Sequence, residues 1–152
     1  MRRRHAVLSA VLIVLIAGCS ILRKEHRQGI AGTWTGKGIV TGGGITQEWN
    51  MTLQLNEDST MSLTYERKDR KTITLRGNYT ADISTHPAQI EIFNYGFPKG
   101  TTYCGMAIVE FPNNKSMNMS CIFGTCGEIT RPSGFIRIPE HNRQLYLELT
   151  RK

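Results

Sequence analysis

The chain has 152 residues, 39% of them hydrophobic and 20% charged, with four cysteines and a formal net charge of +7. That length suits one domain with one core and is too short for two. The modest positive charge points to anionic lipid head groups or cell-wall polymers rather than to nucleic acid, because no base-reading motif accompanies it.

Arg2, Arg3 and Arg4 precede an apolar run from Ala6 to Ala17, and the small residue Gly18 precedes Cys19. This is the tripartite order of an export signal. A transmembrane helix needs about 20 apolar residues. The run is much shorter, and the polar, charged stretch from Ser20 to Gln28 follows at once. Ile16-Ala17-Gly18-Cys19 resembles the lipobox of bacterial lipoproteins. The resemblance implies removal of residues 1–18, a diacylglycerol on the Cys19 sulfur and an acylated N-terminus. One acyl chain binds a membrane marginally, whereas two hold stably, at about 0.8 kcal/mol per buried methylene. Ser20, where Asp does not stand, is similar to the pattern of lipoproteins sorted to the outer membrane. The expected location is the bacterial cell envelope, lipid-anchored at the outer membrane and facing the periplasm. Loss of residues 1–18 leaves 134 residues and a charge near +4, since three arginines leave with the signal.

Residues 19–29 read as the lipidated cysteine and a polar tether, and residues 30–152 as one domain. From Gly32 the texture changes to short alternating runs between turn residues, which predicts strands. Gly32 to Val40 is the first, followed by a flexible turn at Gly42-Gly43-Gly44. That turn lacks the Gly-Lys-Ser/Thr ending of a P-loop. Trp49, Met51, Leu53 and Leu55 alternate with Asn50, Thr52 and Gln54, the pattern of a half-buried strand. Asn56 to Ser59 is a turn by composition. Met61, Leu63 and Tyr65 continue the apolar face, and Arg67 to Lys71 forms a charged hairpin tip. Ile73, Leu75, Gly77 and Tyr79 make the next face, then Ile90 and Ile92, with a loop at Ser84 to Pro87 between them.

Tyr103 to Phe111 and Ser116 to Phe123 flank Pro112-Asn113-Asn114-Lys115, a hairpin signal. With Asn113 and Asn114 as turn residues, Cys104 faces Phe123, Met106 faces Cys121 and Ile108 faces Met119. All six then share one apolar face. Phe135 to Ile138 and Leu145 to Leu149 supply closing strands, with Leu145, Leu147 and Leu149 inward. The count is eight or nine strands with no long helix. Such a meander closes into a single antiparallel up-and-down β-barrel, because closure removes exposed edges. Its interior is just wide enough to fill with side chains or to hold one small ligand. The short strands and apolar inward sets argue against a membrane-spanning barrel.

If Cys19 is acylated, Cys104, Cys121 and Cys126 remain in an oxidising compartment. Three cannot all pair internally, and Cys-x4-Cys without a second pair or a nearby His is poor zinc spacing. We expect one disulfide, Cys126 with either Cys121 or Cys104, and one buried thiol.

Gly32-Thr33-Trp34 at the start of the first strand resembles the Gly-x-Trp motif of lipocalins and lipocalin-like domains. Gly77 to Asp82 followed by His86 to Ile92, and Arg131 to Phe135, are similar to a lipocalin-like domain of bacterial envelope proteins. The resemblance implies that Trp34 plugs one end of the barrel and that Arg151 covers it by a cation–π contact. It implies a fold more than a function, which must be argued from a site.

No residue set amounts to a named reaction. His26, His86 and His141 are scattered without metal-ligand spacing, and no Gly-x-Ser-x-Gly elbow occurs. Glu48, Glu91 and Glu110 lie on strands, where outward, solvated positions are the default over an inward carboxylate pair. Met51, Met61, Met106, Met117 and Met119 read as core before they read as an adaptable pocket. The expectation is therefore a non-enzymatic binding protein without metal or cofactor, taking a small apolar ligand or an envelope protein partner. The alternative is an inhibitor or assembly factor acting through loops such as Asn94 to Thr101.

Overall fold

The computed structural model describes residues 29–42, 45–66, 72–96, 102–137 and 144–152. The chain divides into two units, residues 1–31 and 32–152. The signal, the lipobox and Cys19 lie outside the described residues, as do His26, His141 and the charged tip at 67–71.

The second unit is all-β. Its strands are β1 (Gly32–Gly42), β2 (Ile45–Leu55), β3 (Thr60–Glu66), β4 (Ile73–Asp82), β5 (Ala88–Gly96), β6 (Thr102–Asn113), β7 (Ser116–Gly124) and β8 (Gln144–Arg151). Each pairs antiparallel with its neighbour in sequence, and β8 pairs with β1, so the eight strands close into a barrel. The two-residue period of the sequence becomes an inside and an outside. Met51, Leu53 and Leu55 on β2 are buried, and across from them Tyr65, Leu63 and Met61 on β3 line the same interior. Each fully buried side chain such as Leu53, Ile90 or Leu147 contributes about 1.5–3 kcal/mol of transfer free energy. The outer face of β1 to β4 is polar, with Thr35, Thr52, Thr64 and Thr74 paired in one row. Thr64 and Thr74 share a hydrogen bond of 3.0 Å between their hydroxyls.

Short-range polar groups fix the turns. Asp58 accepts hydrogen bonds from the Thr60 hydroxyl at 2.6 Å and the Thr60 amide at 3.0 Å. These bonds hold its carboxyl below the usual range. The Tyr79 hydroxyl donates to the Asn56 carbonyl at 2.8 Å and ties this turn to β4. Asp82 does for the β4–β5 loop what Asp58 does here, accepting from the Ser84 hydroxyl and amide. At the seam between β1 and β8, a side chain on Gly36 would overlap the Glu148 carbonyl. Only a residue without Cβ lets the two strands approach that closely.

Two sequence expectations are corrected. The β6–β7 turn falls on Asn114 and Lys115, with Asn113 paired to Ser116, and a bulge lies between Glu110 and Asn113. Moving the turn by one residue shifts the pairing by two and keeps the faces. The bulge takes one back and reverses them. It sits at Phe111-Pro112, where proline has no N–H for the ladder. Cys104 therefore faces Gly124, Met106 faces Ile122 and Ile108 faces Ser120. Those β6 side chains point outward, while Gly105, Ala107 and Val109 point inward opposite Phe123, Cys121 and Met119.

The second correction concerns Phe135 to Ile138. Phe135, Ile136 and Arg137 form no strand, and Ile138 lies outside the described residues. The barrel is already closed by β8 on β1 and leaves no edge for a further strand. Residues 125–137 instead cross the outside of the barrel. Arg131 reaches Glu91 on β5 at 2.9 Å, and Arg137 reaches Glu148 on β8 at 3.4 Å. This explains why Ile108, Ser120, Gln144 and Tyr146 are buried although their strand positions face out. Gln144 donates to the Ser120 hydroxyl at 3.0 Å within this outer layer.

Candidate ligand cavity

The two ends of the barrel differ. At one end, where β1 starts and β8 finishes, Trp34 is fully buried. The Arg151 guanidinium lies 4.5 Å above its ring, and the Phe111 ring is 6.0 Å away at a tilted angle. Trp34 pairs directly with Arg151 across the β1–β8 seam, which is what brings the cation over the ring. This end is closed by packed side chains.

The other end is formed by the finish of β1, β3, β5 and β7 and the start of β2, β4, β6 and β8. It contains a cavity of about 430 Å³. Its aromatic lining is paired. Trp49 on β2 stacks on Tyr65 on β3, with ring centroids 5.0 Å apart and 22° between planes. Tyr95 on β5 stacks on Phe123 on β7 at 4.6 Å and 20°. Both distances fall in the offset-stacking range that rings prefer. Val40, Met51, Leu63, Leu75 and Leu145 fill the gaps between the pairs, and Tyr103 stands half-exposed at the rim.

Local sequence accounts for the positions. Trp49 is steadied by its indole N–H, which donates to the Gln47 side chain at 3.1 Å. Tyr95 reaches the interior because Asn94 adopts a left-handed φ of 53° at a bulge between Ile92 and Tyr95. Phe123 lies flat because Gly105 stands opposite; a Cβ there would sit 2.8 Å from the ring.

Burial dominates the electrostatics of the site. Burial raises the Tyr95 phenol well above its ordinary value, and the nearby Cys121 thiol and Tyr65 phenol push it further. Burial alone raises Tyr65 and the fully buried Cys121. All three stay protonated and uncharged. The described residues that line the cavity include no Lys, Arg, His, Asp or Glu. A raised thiol is a poor nucleophile, so Cys121 behaves as a small apolar group.

The disulfide is Cys104–Cys126, with Cα atoms 5.0 Å apart, and Cys121 is the buried free thiol. Cys104 lies between Tyr103 and Gly105, and Cys126 directly follows Gly124 and Thr125 of the cavity lining. The bond therefore pins the rim of the cavity and the start of the outer crossing segment.

The other candidates from the sequence are dispersed. Glu48, Glu91 and Glu110 are exposed on the outer surface, engaged by Lys37, Arg131 and Asn118 respectively. His86 is exposed beside Pro87. Among the described residues no group of three His, Cys, Asp or Glu side chains is arranged to hold a metal. Of the five methionines expected in the core, Met51 lines the cavity, Met61, Met117 and Met119 pack the interior, and Met106 faces outward. A second, polar groove of about 370 Å³ lies outside β1–β3 along Thr35, Lys37, Asn50 and Glu66.

Sequence reasoning found the plug and missed the aromatic cavity. Trp49, Tyr65, Tyr103 and Phe123 each carry an aromatic ring close to the same end of a strand, and that shared position was the available signal. No protein-family model matches the chain, and no curated protein or solved structure matches it either.

Proposed function

We propose that this protein is a lipid-anchored envelope lipoprotein whose barrel binds a small apolar molecule without transforming it. The observation that carries the ligand role is the contrast between the barrel ends: one closed by Trp34 and Arg151, the other holding a 430 Å³ aromatic cavity. Ligand sites are concave, mostly apolar and typically about 300–1,000 Å³. The anchor rests on the lipobox at Ile16 to Cys19. A polar outer face, with exposed Lys37, Glu48 and Glu110 on the strands, supports a barrel surrounded by water rather than lipid tails.

A binding role is favoured over catalysis by the lining. Burial holds the lining phenols Tyr65 and Tyr95 neutral, and the described lining residues include no acid–base pair suited to work near pH 7. It is favoured over a purely loop-mediated role because a barrel needed only as a scaffold gains stability from a filled interior.

Two measurements test the proposal. Organic extraction of the protein purified from its own membranes should release a small apolar compound in near-stoichiometric amount. The Leu75→Trp variant, which fills the cavity, should carry little of it. Equal yields from both proteins would remove the cavity from the function. For the anchor, wild type should incorporate radiolabelled palmitate and Cys19→Ser should not.

A further inference from the structure

We infer, resting on the ligand role proposed above, that the cavity selects a flat, uncharged, carbonyl-bearing ring compound over an alkyl chain. Three independent observations converge on that class. The first is shape. The two stacked pairs, Trp49 on Tyr65 and Tyr95 on Phe123, line one cavity from β2–β3 and from β5 and β7. Rings offer flat, rigid faces that a planar guest can stack against or meet edge-on, at centroid distances of about 4.5–7 Å. A flexible chain gains only non-directional burial there and loses rotational freedom on ordering.

The second observation is charge. The described lining includes no cationic side chain. A carboxylate or phosphate head would lose its water without a counter-charge, which is far more costly than burying a neutral ring. The guest is therefore neutral where it meets the lining.

The third is a polar handle. Tyr95 is 6% exposed and lines the cavity, yet its hydroxyl is hydrogen-bonded to no described residue. Burial keeps that phenol protonated across the physiological range, so it offers an O–H donor. The hydroxyl opens onto the cavity, so a guest that displaces water from it must supply an acceptor in return. A ring carbonyl satisfies it; a hydrocarbon does not. In size, 430 Å³ equals about fourteen waters at roughly 30 Å³ each. That is room for a two- or three-ring molecule.

The test uses the full chain in lipid nanodiscs, with protein-free nanodiscs as the blank, titrated calorimetrically with three soluble probes. Coumarin is a neutral two-ring carbonyl compound, 1-octanol a neutral alkyl chain and octanoate a charged one. Coumarin should bind one-to-one at least tenfold more tightly than 1-octanol, and octanoate should be weakest. Tyr95→Phe keeps the ring that stacks on Phe123 and removes only the hydroxyl. It should weaken coumarin about five- to tenfold, the worth of one hydrogen bond, and leave 1-octanol unchanged. Matching thermal melts of Tyr95→Phe and wild type exclude misfolding as the cause. If 1-octanol or octanoate binds as well as coumarin, or Tyr95→Phe leaves coumarin untouched, the ring-and-carbonyl assignment is overturned while the ligand role stands. If none of the three probes binds, the ligand role falls with it.

Discussion

Trp34→Ala tests the closed end of the barrel most severely. Trp34 is fully buried, so its truncation removes the transfer free energy of the indole and leaves a cavity, at a cost of about 3–5 kcal/mol. The Arg151 guanidinium 4.5 Å above the ring adds a cation–π term of about 1 kcal/mol, and the tilted Phe111 ring a further increment of about 0.5–1.5 kcal/mol. Small domains have only about 5–15 kcal/mol in total, so the variant stands near the edge of folding. For a barrel of this size each kcal/mol moves the melting temperature by about 4 °C. The three together come to about 4.5–7.5 kcal/mol, so Trp34→Ala should melt roughly 18–30 °C below wild type in a circular-dichroism scan. Arg151→Met keeps the side-chain bulk and loses the cation, and should cost about 1–2 kcal/mol. In the double variant the two losses should fall short of additivity by about 1 kcal/mol, because Arg151 has no ring left to cover. A Trp34→Ala melt within 5 °C of wild type would refute the plug. Strict additivity would refute the cation–π contact while leaving the packing.

Other outcomes follow from the same geometry. Replacing both Cys104 and Cys126 with Ser opens a cross-link between residues 22 apart and should lower stability by about 2–4 kcal/mol in urea denaturation; a loss below 1 kcal/mol would show that the rim holds without it. Tyr95 and Cys121 have folded pKa values above their unfolded values near 10.0 and 9.0, so the stability they contribute is complete below pH 9 and declines as pH rises. The decline should be about 1.4 kcal/mol per pH unit for each group once above its unfolded value. Urea midpoints from pH 8 to 11 should show its onset near pH 9 in wild type and about one unit higher in Cys121→Ala; a flat profile in wild type contradicts the burial argument. Gly105→Ala places a methyl 2.8 Å from the Phe123 ring, which must swing away from Tyr95. It should cost about 1–2 kcal/mol and weaken coumarin binding several-fold; unchanged affinity would separate the Tyr95–Phe123 stack from ligand binding.

Much of the barrel was legible because closed antiparallel strands with an apolar interior write their geometry into a two-residue period. Met51, Leu53 and Leu55, or Leu145, Leu147 and Leu149, point inward because no other register buries them. Bulges break that period, and they account for what was illegible. The one at Phe111-Pro112 reversed β6, so Cys104 moved from the inner face expected of it to the outer face. The choice of disulfide partner turned on that reversal: Cys104 lies outside, where the segment carrying Cys126 begins, and Cys121 lies inside. The bulge at Asn94 likewise hid Tyr95 from the alternation of Ile90 and Ile92. The cavity was illegible for a related reason. One of its aromatic pairs, Tyr95 on Phe123, joins β5 and β7, which are not consecutive, and that stack depends on Gly105 leaving space for Phe123.

The methionines supply internal reporters for the central claim that ligand occupies the aromatic end. Met51 lines the cavity, whereas Met61 and Met117 pack near the end closed by Trp34. Methyl-labelled methionine NMR during a coumarin titration should shift the Met51 signal in proportion to occupancy and leave Met61 and Met117 in place. Shifts confined to Met61 and Met117, or none at Met51 under saturating probe, would contradict the account.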